Sequence, residues 1–252
     1  MGTLRSAEER ARTIGELLPD GLASTLAPRP LLALLHLCDS LFPIGGFGYS
    51  DGLEAATAAG LVETPADLQA WLDICLDEVV GRMDGPAVHG AWRAFDREDW
   101  EALCELDEEV TAMRPSSATR RSSRAMGFRL VTTWAALYRD RRLDRVLDLA
   151  RVPSLGPALP VAFGCACASA GVAIRDAGAA FAYSRLASTI SASLRLMRIG
   201  QTDAHALLAN ALCRVPAAVE AIATRARPES FTPAMDVATM TQQYLHSRLF
   251  RS

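Results

Sequence analysis

Along the chain, apolar positions recur every three to four residues and no strict apolar/polar alternation is sustained, so the pattern predicts an all-α fold. The clearest helix covers 65–83. Thr64 suits the N-cap, Pro65 the first helical position, and Asp67 the third, where a capping box places its acid. Leu68, Trp71, Leu72, Cys75, Leu76, Val79 and Met83 then share one apolar face. The same spacing predicts helices over 4–18, 30–39, 50–59, 86–95, 98–113, 116–138 and 143–150, and after Pro160 over 161–174, 177–197, 203–225 and 234–249. Together these make a single globular helical domain of about ten helices, spanning residues 30–252 with its C-terminal tail. Pro19, Gly21, Pro28 and Pro30 set residues 1–29 apart as an N-terminal extension, whose Leu4, Ile14, Leu17 and Leu18 stripe predicts a partner contact.

Composition narrows the function. The chain has 252 residues and is 50% hydrophobic, enough for one large core. A formal net charge of -3 supplies no field that would draw it to nucleic acid or an anionic membrane. All 26 basic residues are arginine, so neither a Walker A phosphate loop nor a Schiff-base site can be built, and the chain is not itself a P-loop GTPase. The six cysteines lie scattered in apolar helical patterns, and residues 6–12 are acid-rich where a signal peptide would be apolar, which predicts a reduced, cytoplasmic protein. From Val152 to Ile174 there is no charge, but Pro153, Pro157 and Pro160 and many small residues predict a loop feeding a close-packed internal helix rather than a membrane span. The acids of 98–113 and Arg120, Arg121, Arg124 and Arg129 of the next helix read as two solvated faces that partly neutralise each other, ahead of a charged docking face.

Gly48-Tyr49-Ser50-Asp51-Gly52 matches the G-x-S-x-G turn of serine hydrolases, which needs a buried strand before it; Pro43, Gly45 and Gly46 cannot supply one. Ser50 reads better as an N-cap, with Glu54 in the following turn. A serine hydrolase using Ser50 and a helical small-molecule-sensing module are the alternatives. Cys165 with Cys167, and His36 with Cys38, stand two apart and point about 200° around a helix, so neither pair shares an ion. His89, His205 and His246 are isolated in sequence. No catalytic, cofactor or metal residue is therefore expected. The terminal run Leu245–Ser252 sets Leu249 and Phe250 between arginines, and predicts that the pair packs back on the body or into a partner.

Three segments carry a family resemblance: LCDSLFPIGGFGYSDGLE (37–54); VAFG (161–164) with YSRLASTISASLRLMRIGQTD (183–203); and SRLFRS (247–252). In order and spacing they resemble the UreF family of urease accessory proteins, over residues 31–252. The resemblance implies a non-enzymatic, all-helical homodimer that acts as a nickel-insertion co-chaperone. On one side it recruits the nickel-carrying GTPase UreG, on the other the accessory protein UreD (UreH), for delivery of nickel to apo-urease, with no cofactor of its own. It places the partner-binding surface on the Gly-Gly-aromatic turn, Gly45, Gly46 and Phe47 with Tyr49, and on Arg248, Leu249 and Phe250 of the tail, and implies that turn and tail lie together. The chain departs from the family pattern at Gln242-Gln243, where His-Glu is usual, at His246 for a tyrosine, at Ala204-His205 for Gly-Gln, and at Ala158-Leu159, near which many relatives carry a histidine.

Overall fold

The computed structural model describes residues 30–151 and 155–251; the predicted 4–18 helix and its partner contact lie outside them. The helices are α1 (Pro30–Cys38), α2 (Leu53–Ala58), α3 (Pro65–Ile74), α4 (Gly85–Asp96), α5 (Trp100–Ala112), α6 (Ser117–Leu137), α7 (Arg141–Arg151), α8 (Leu159–Ser169), α9 (Ile174–Leu196), α10 (Gln201–Thr224) and α11 (Pro233–Thr241). Short 3-10 turns occupy Gly46–Gly48 and Gln242–Tyr244. Among the described residues there is no strand, and the fold is one all-α domain.

The local signals hold where the chemistry is local. Thr64 accepts the Asp67 N–H at 3.2 Å while the Asp67 carboxylate accepts the Thr64 N–H at 2.8 Å, closing the capping box of α3. Ser116 caps α6 by accepting the Thr119 N–H. The expected break between 83 and 86 is absent. Instead α3 runs through a π-helical segment, Cys75–Asp84, directly into α4. Pro86 sits inside this rod and offers no N–H to the Arg82 carbonyl one turn back; that carbonyl accepts the Glu229 N–H at 2.8 Å instead.

Two apolar cores hold the helices. One joins Leu37, Phe42, Phe95, Trp134, Val161, Phe163 and Phe181; the other joins Leu53, Leu68, Leu76, Leu186, Leu208, Ile222 and Phe250. The charge-free stretch supplies α8, buried at every residue from Pro160 to Ala168, in keeping with a close-packed internal helix. Small residues let it approach α4 backbone to backbone: a Cβ at Gly164 would fall 2.5 Å from the Val88 carbonyl oxygen. Among the described residues α10 alone is long and apolar enough to cross a membrane by length and composition, and its Ala204, Leu208, Ala211, Val215, Val219 and Ile222 stripe packs into the second core.

Three predicted spans need correction. The helix expected over 50–59 begins at Leu53, because Asp51 (φ 50) and Gly52 (φ 87) make a left-handed turn. The helix expected over 161–174 ends at Ser169. The helix expected over 234–249 stops at Thr241, and the chain beyond Tyr244 leaves helical geometry because its N–H groups are taken by acceptors elsewhere in the fold. Asp107 is a further correction: it does not belong to a solvated face but is fully buried, its carboxylate accepting the Gly156 and Ala158 N–H groups, each at 2.6 Å.

Candidate functional site

The 45–49 loop is built on one residue that must be glycine. Gly45 has φ +79, and a Cβ there would lie 3.2 Å from the Arg129 guanidinium nitrogens. The turn closes with Gly48 N–H to Gly45 O at 3.3 Å and Tyr49 N–H to Gly46 O at 3.1 Å, which leaves Phe47 53% exposed at its crest. Below it Arg185 of α9 pairs with Asp51 at 2.7 Å, tying the end of the loop to the body.

The C-terminal tail lies against this loop. The Arg251 N–H donates to Gly48 O at 2.7 Å. Phe250 is buried, 4% exposed, with the Arg195 guanidinium 4.3 Å over its ring, and the same guanidinium donates to Phe47 O at 3.2 Å. The Glu54 carboxylate, on a residue 5% exposed, accepts the Leu249 N–H at 2.5 Å, the Phe250 N–H at 3.2 Å and the Gln242 side-chain amide at 3.1 Å. Leu249 and Arg248 face outward. Loop and tail thus meet, and of the residues assigned to a partner surface Phe250 is the anchor, buried in the single chain, whereas Phe47, Arg248 and Leu249 are exposed.

Beside the junction runs a groove of about 660 Å³ lined in part by Leu35, Phe42, Phe47, Tyr183, Leu208 and Phe250. Leu31, Leu32, Leu35 and Leu41 leave apolar surface exposed on α1 and the turn after it.

The candidate reactive groups are occupied structurally. Ser50 is 4% exposed; its Oγ donates to the Gln242 carboxamide oxygen at 3.2 Å and accepts the Glu54 N–H at 3.4 Å, so it faces an amide rather than an imidazole, and the N-cap position of α2 expected at Ser50 falls instead on Gly52, which makes no side-chain cap. Burial pushes the Cys75 thiol up to about 11 and the Cys165 and Cys167 thiols higher still, so these sulfurs stay protonated. His36 Nδ1 lies 2.8 Å from the Tyr138 hydroxyl, within an aromatic cluster with Phe42 and Trp134. Among the described residues no group of three His, Cys, Asp or Glu side chains could hold a metal ion.

Glu54, Gln242 and Arg195 do most to build the junction, and sequence reasoning assigned none of them that part. A signal was present for Glu54: it is an acid embedded in the apolar run Leu53–Ala56.

The all-helical body with its tail segment seated on a glycine-rich turn places the chain among all-α proteins with an assembled loop-and-tail surface, and comparison with known proteins gives the family. The sequence model of the UreF family matches residues 62–212. Over 229 residues the chain is 34% identical to the urease accessory protein UreF of Methylibium petroleiphilum, which covers 88% of this chain and 94% of the relative. It is 33% identical over 239 residues to that of Bradyrhizobium diazoefficiens, covering 91% and 96%. It is also 33% identical over 232 residues to the bifunctional urease accessory protein UreEF of Bordetella bronchiseptica, covering 88% of this chain and 52% of the relative. The chain belongs to the UreF family of urease accessory proteins, and its role is an accessory one in urease maturation.

Proposed function

We propose that this urease accessory protein carries out no chemistry itself and acts as a homodimeric, cytoplasmic scaffold that brings the nickel-carrying GTPase UreG and the accessory protein UreD (UreH) together for nickel delivery to apo-urease. The observation that carries the reading is the junction of loop 45–49 with the tail: Phe47, Leu249 and Arg248 are exposed around a buried Phe250 anchor. An exposed aromatic and leucine next to a guanidinium are the residue types that concentrate binding energy at interfaces. Gly45, Gly46 and Tyr49 shape the loop and complete the surface for UreG. We assign residues 1–29 to the UreD contact from their apolar stripe, and residues 30–252 to the UreF-like domain. The joining of two accessory functions in one chain, stated in the name of the Bordetella relative, supports a role in assembly.

The test is capture of UreG by the Arg248→Ala variant. Arg248 is exposed, so helical content by circular dichroism should not change, while binding should weaken by roughly tenfold or more if the arginine is a hot spot. Undiminished capture would refute the assignment of the tail.

A further inference from the structure

We infer that Glu54 is the positioning residue of this docking surface: its buried carboxylate seats the C-terminal tail on the 45–49 loop, and the seated tail presents Arg248 and Leu249 beside the loop as one surface. The inference rests on the reading that this surface recruits the GTPase. A carboxylate on a residue 5% exposed has lost most of its water and must be compensated by donors. The donors at Glu54 come from beyond α11: the Leu249 N–H, the Phe250 N–H and the Gln242 amide.

Two consecutive backbone N–H groups bound to one carboxylate fix the chain direction at 249–250. They turn one side chain out and the next in, and Leu249 is 60% exposed while Phe250 is 4% exposed. Hydrogen bonds to an ionised acceptor are roughly twice as strong as neutral ones, so this pair outweighs the single neutral bond from Arg251 N–H to Gly48 O. Glu54 also lies in the first turn of α2, where the helix N-terminus favours a negative charge. Both oxygens are required. A glutamine at 54 would keep the volume but turn an NH2 group toward one of the tail's N–H donors.

That requirement separates an acceptor role from a space-filling one. In the full-length chain, hydrogen exchange of the 245–251 segment, followed by mass spectrometry, should be at least about tenfold faster in Glu54→Gln, with capture of UreG reduced to match. Glu54→Asp, which keeps both oxygens and the charge one methylene short, should retain more tail protection and more capture than Glu54→Gln. The opposite ranking, expected if only side-chain volume mattered, would overturn the inference, and so would unchanged tail exchange in Glu54→Gln. Should Glu54→Gln fail to fold by circular dichroism, Leu249→Pro removes the shortest N–H donor from a non-helical segment, and unchanged exchange of the rest of the tail in that variant would also overturn it. Arg248→Ala in the same capture assay separates the two levels. If Arg248→Ala loses capture while Glu54→Gln, its tail freed, does not, the positioning role falls and the docking reading stands. If neither loses capture, the docking reading falls and takes this inference with it.

Discussion

Asp107 should be among the most sensitive single positions for stability. It stands on α5 with no exposure, and its carboxylate receives the Gly156 and Ala158 N–H groups, each at 2.6 Å. The same connection, ahead of α8, is held by Ser123 Oγ accepting the Leu159 N–H at 3.0 Å, and it presses so closely on α6 that a Cβ at Gly127 would come within 2.1 Å of Pro157 O. Asp107→Ala strips the acceptor from two backbone donors, the buried Ala158 N–H and the part-buried Gly156 N–H, each costing about 1–3 kcal/mol when left unpaired. Burial holds the Asp107 carboxyl above its usual range, against the pull of the two N–H groups, so the charge itself is carried at some expense and its removal returns part of the loss. A net cost of about 3 kcal/mol follows, and about half of that for Asp107→Asn, which keeps one acceptor. With a urea m-value near 3 kcal/mol/M, the unfolding midpoint should fall by about 1 M for the alanine variant. Arg124→Ala is the control: its guanidinium is 3.8 Å from Asp107 and 45% exposed, which predicts a loss under about 1 kcal/mol. Equal losses from Arg124→Ala and Asp107→Asn would show that an ion pair, not the pair of N–H groups, anchors the connection; a midpoint shift below about 0.3 M for Asp107→Ala would refute the anchoring altogether.

His89 predicts a pH effect. Burial first, and then the Arg93 charge, lower its pKa from 6.5 to about 4, against the opposing pull of a backbone hydrogen bond at Ile174. The unfolded chain therefore binds a proton that the folded chain refuses, and stability should fall by about 3 kcal/mol as pH drops from about 6.5 to about 4; His89→Leu should flatten that part of the urea-midpoint profile, and an unchanged slope would sink the assignment. Gly164→Ala would set a Cβ 2.5 Å from the Val88 carbonyl oxygen, a backbone atom that cannot swing aside, so the melting temperature should drop by roughly 5 °C, whereas an unaltered value would mean that α4 and α8 can part without loss.

What the sequence showed of the fold was whatever neighbours in sequence decide. The Thr64–Asp67 box and the charge-free core helix are legible because cap and capped group, or burial and apolarity, sit in the same few residues. The break expected between 83 and 86 is absent even though Pro86 offers no N–H to the carbonyl one turn back. Glu229 satisfies it from the far side of α10, and no window around residue 86 contains that information. The overrun of α11 has the same origin: Met235, Ala238 and Gln242 continue a helical stripe, but the backbone N–H groups beyond it have better acceptors in Glu54 and Gly48.

Glu54 and Asp107 answer one physical need. An irregular segment laid across a helical body has backbone N–H groups with no partner of its own making, while the helices it crosses have already spent their carbonyls on themselves. A carboxylate projecting from a helix is the side chain that can accept two such N–H groups at once, and both acids do so: Asp107 for 156 and 158, Glu54 for 249 and 250. Each stands where the local pattern calls for an apolar residue, Asp107 between buried Leu103 and Val110, Glu54 between buried Leu53 and Ala55. An acid at a core-facing position of a helix is therefore a sequence-level sign of an irregular strand of chain nearby, although it does not say which one. The difference between the two lies in what they hold. Asp107 fixes a connection inside the core and so acts on stability, whereas Glu54 fixes a chain end whose neighbouring residues face outward, so its loss should register in partner capture before it registers in unfolding.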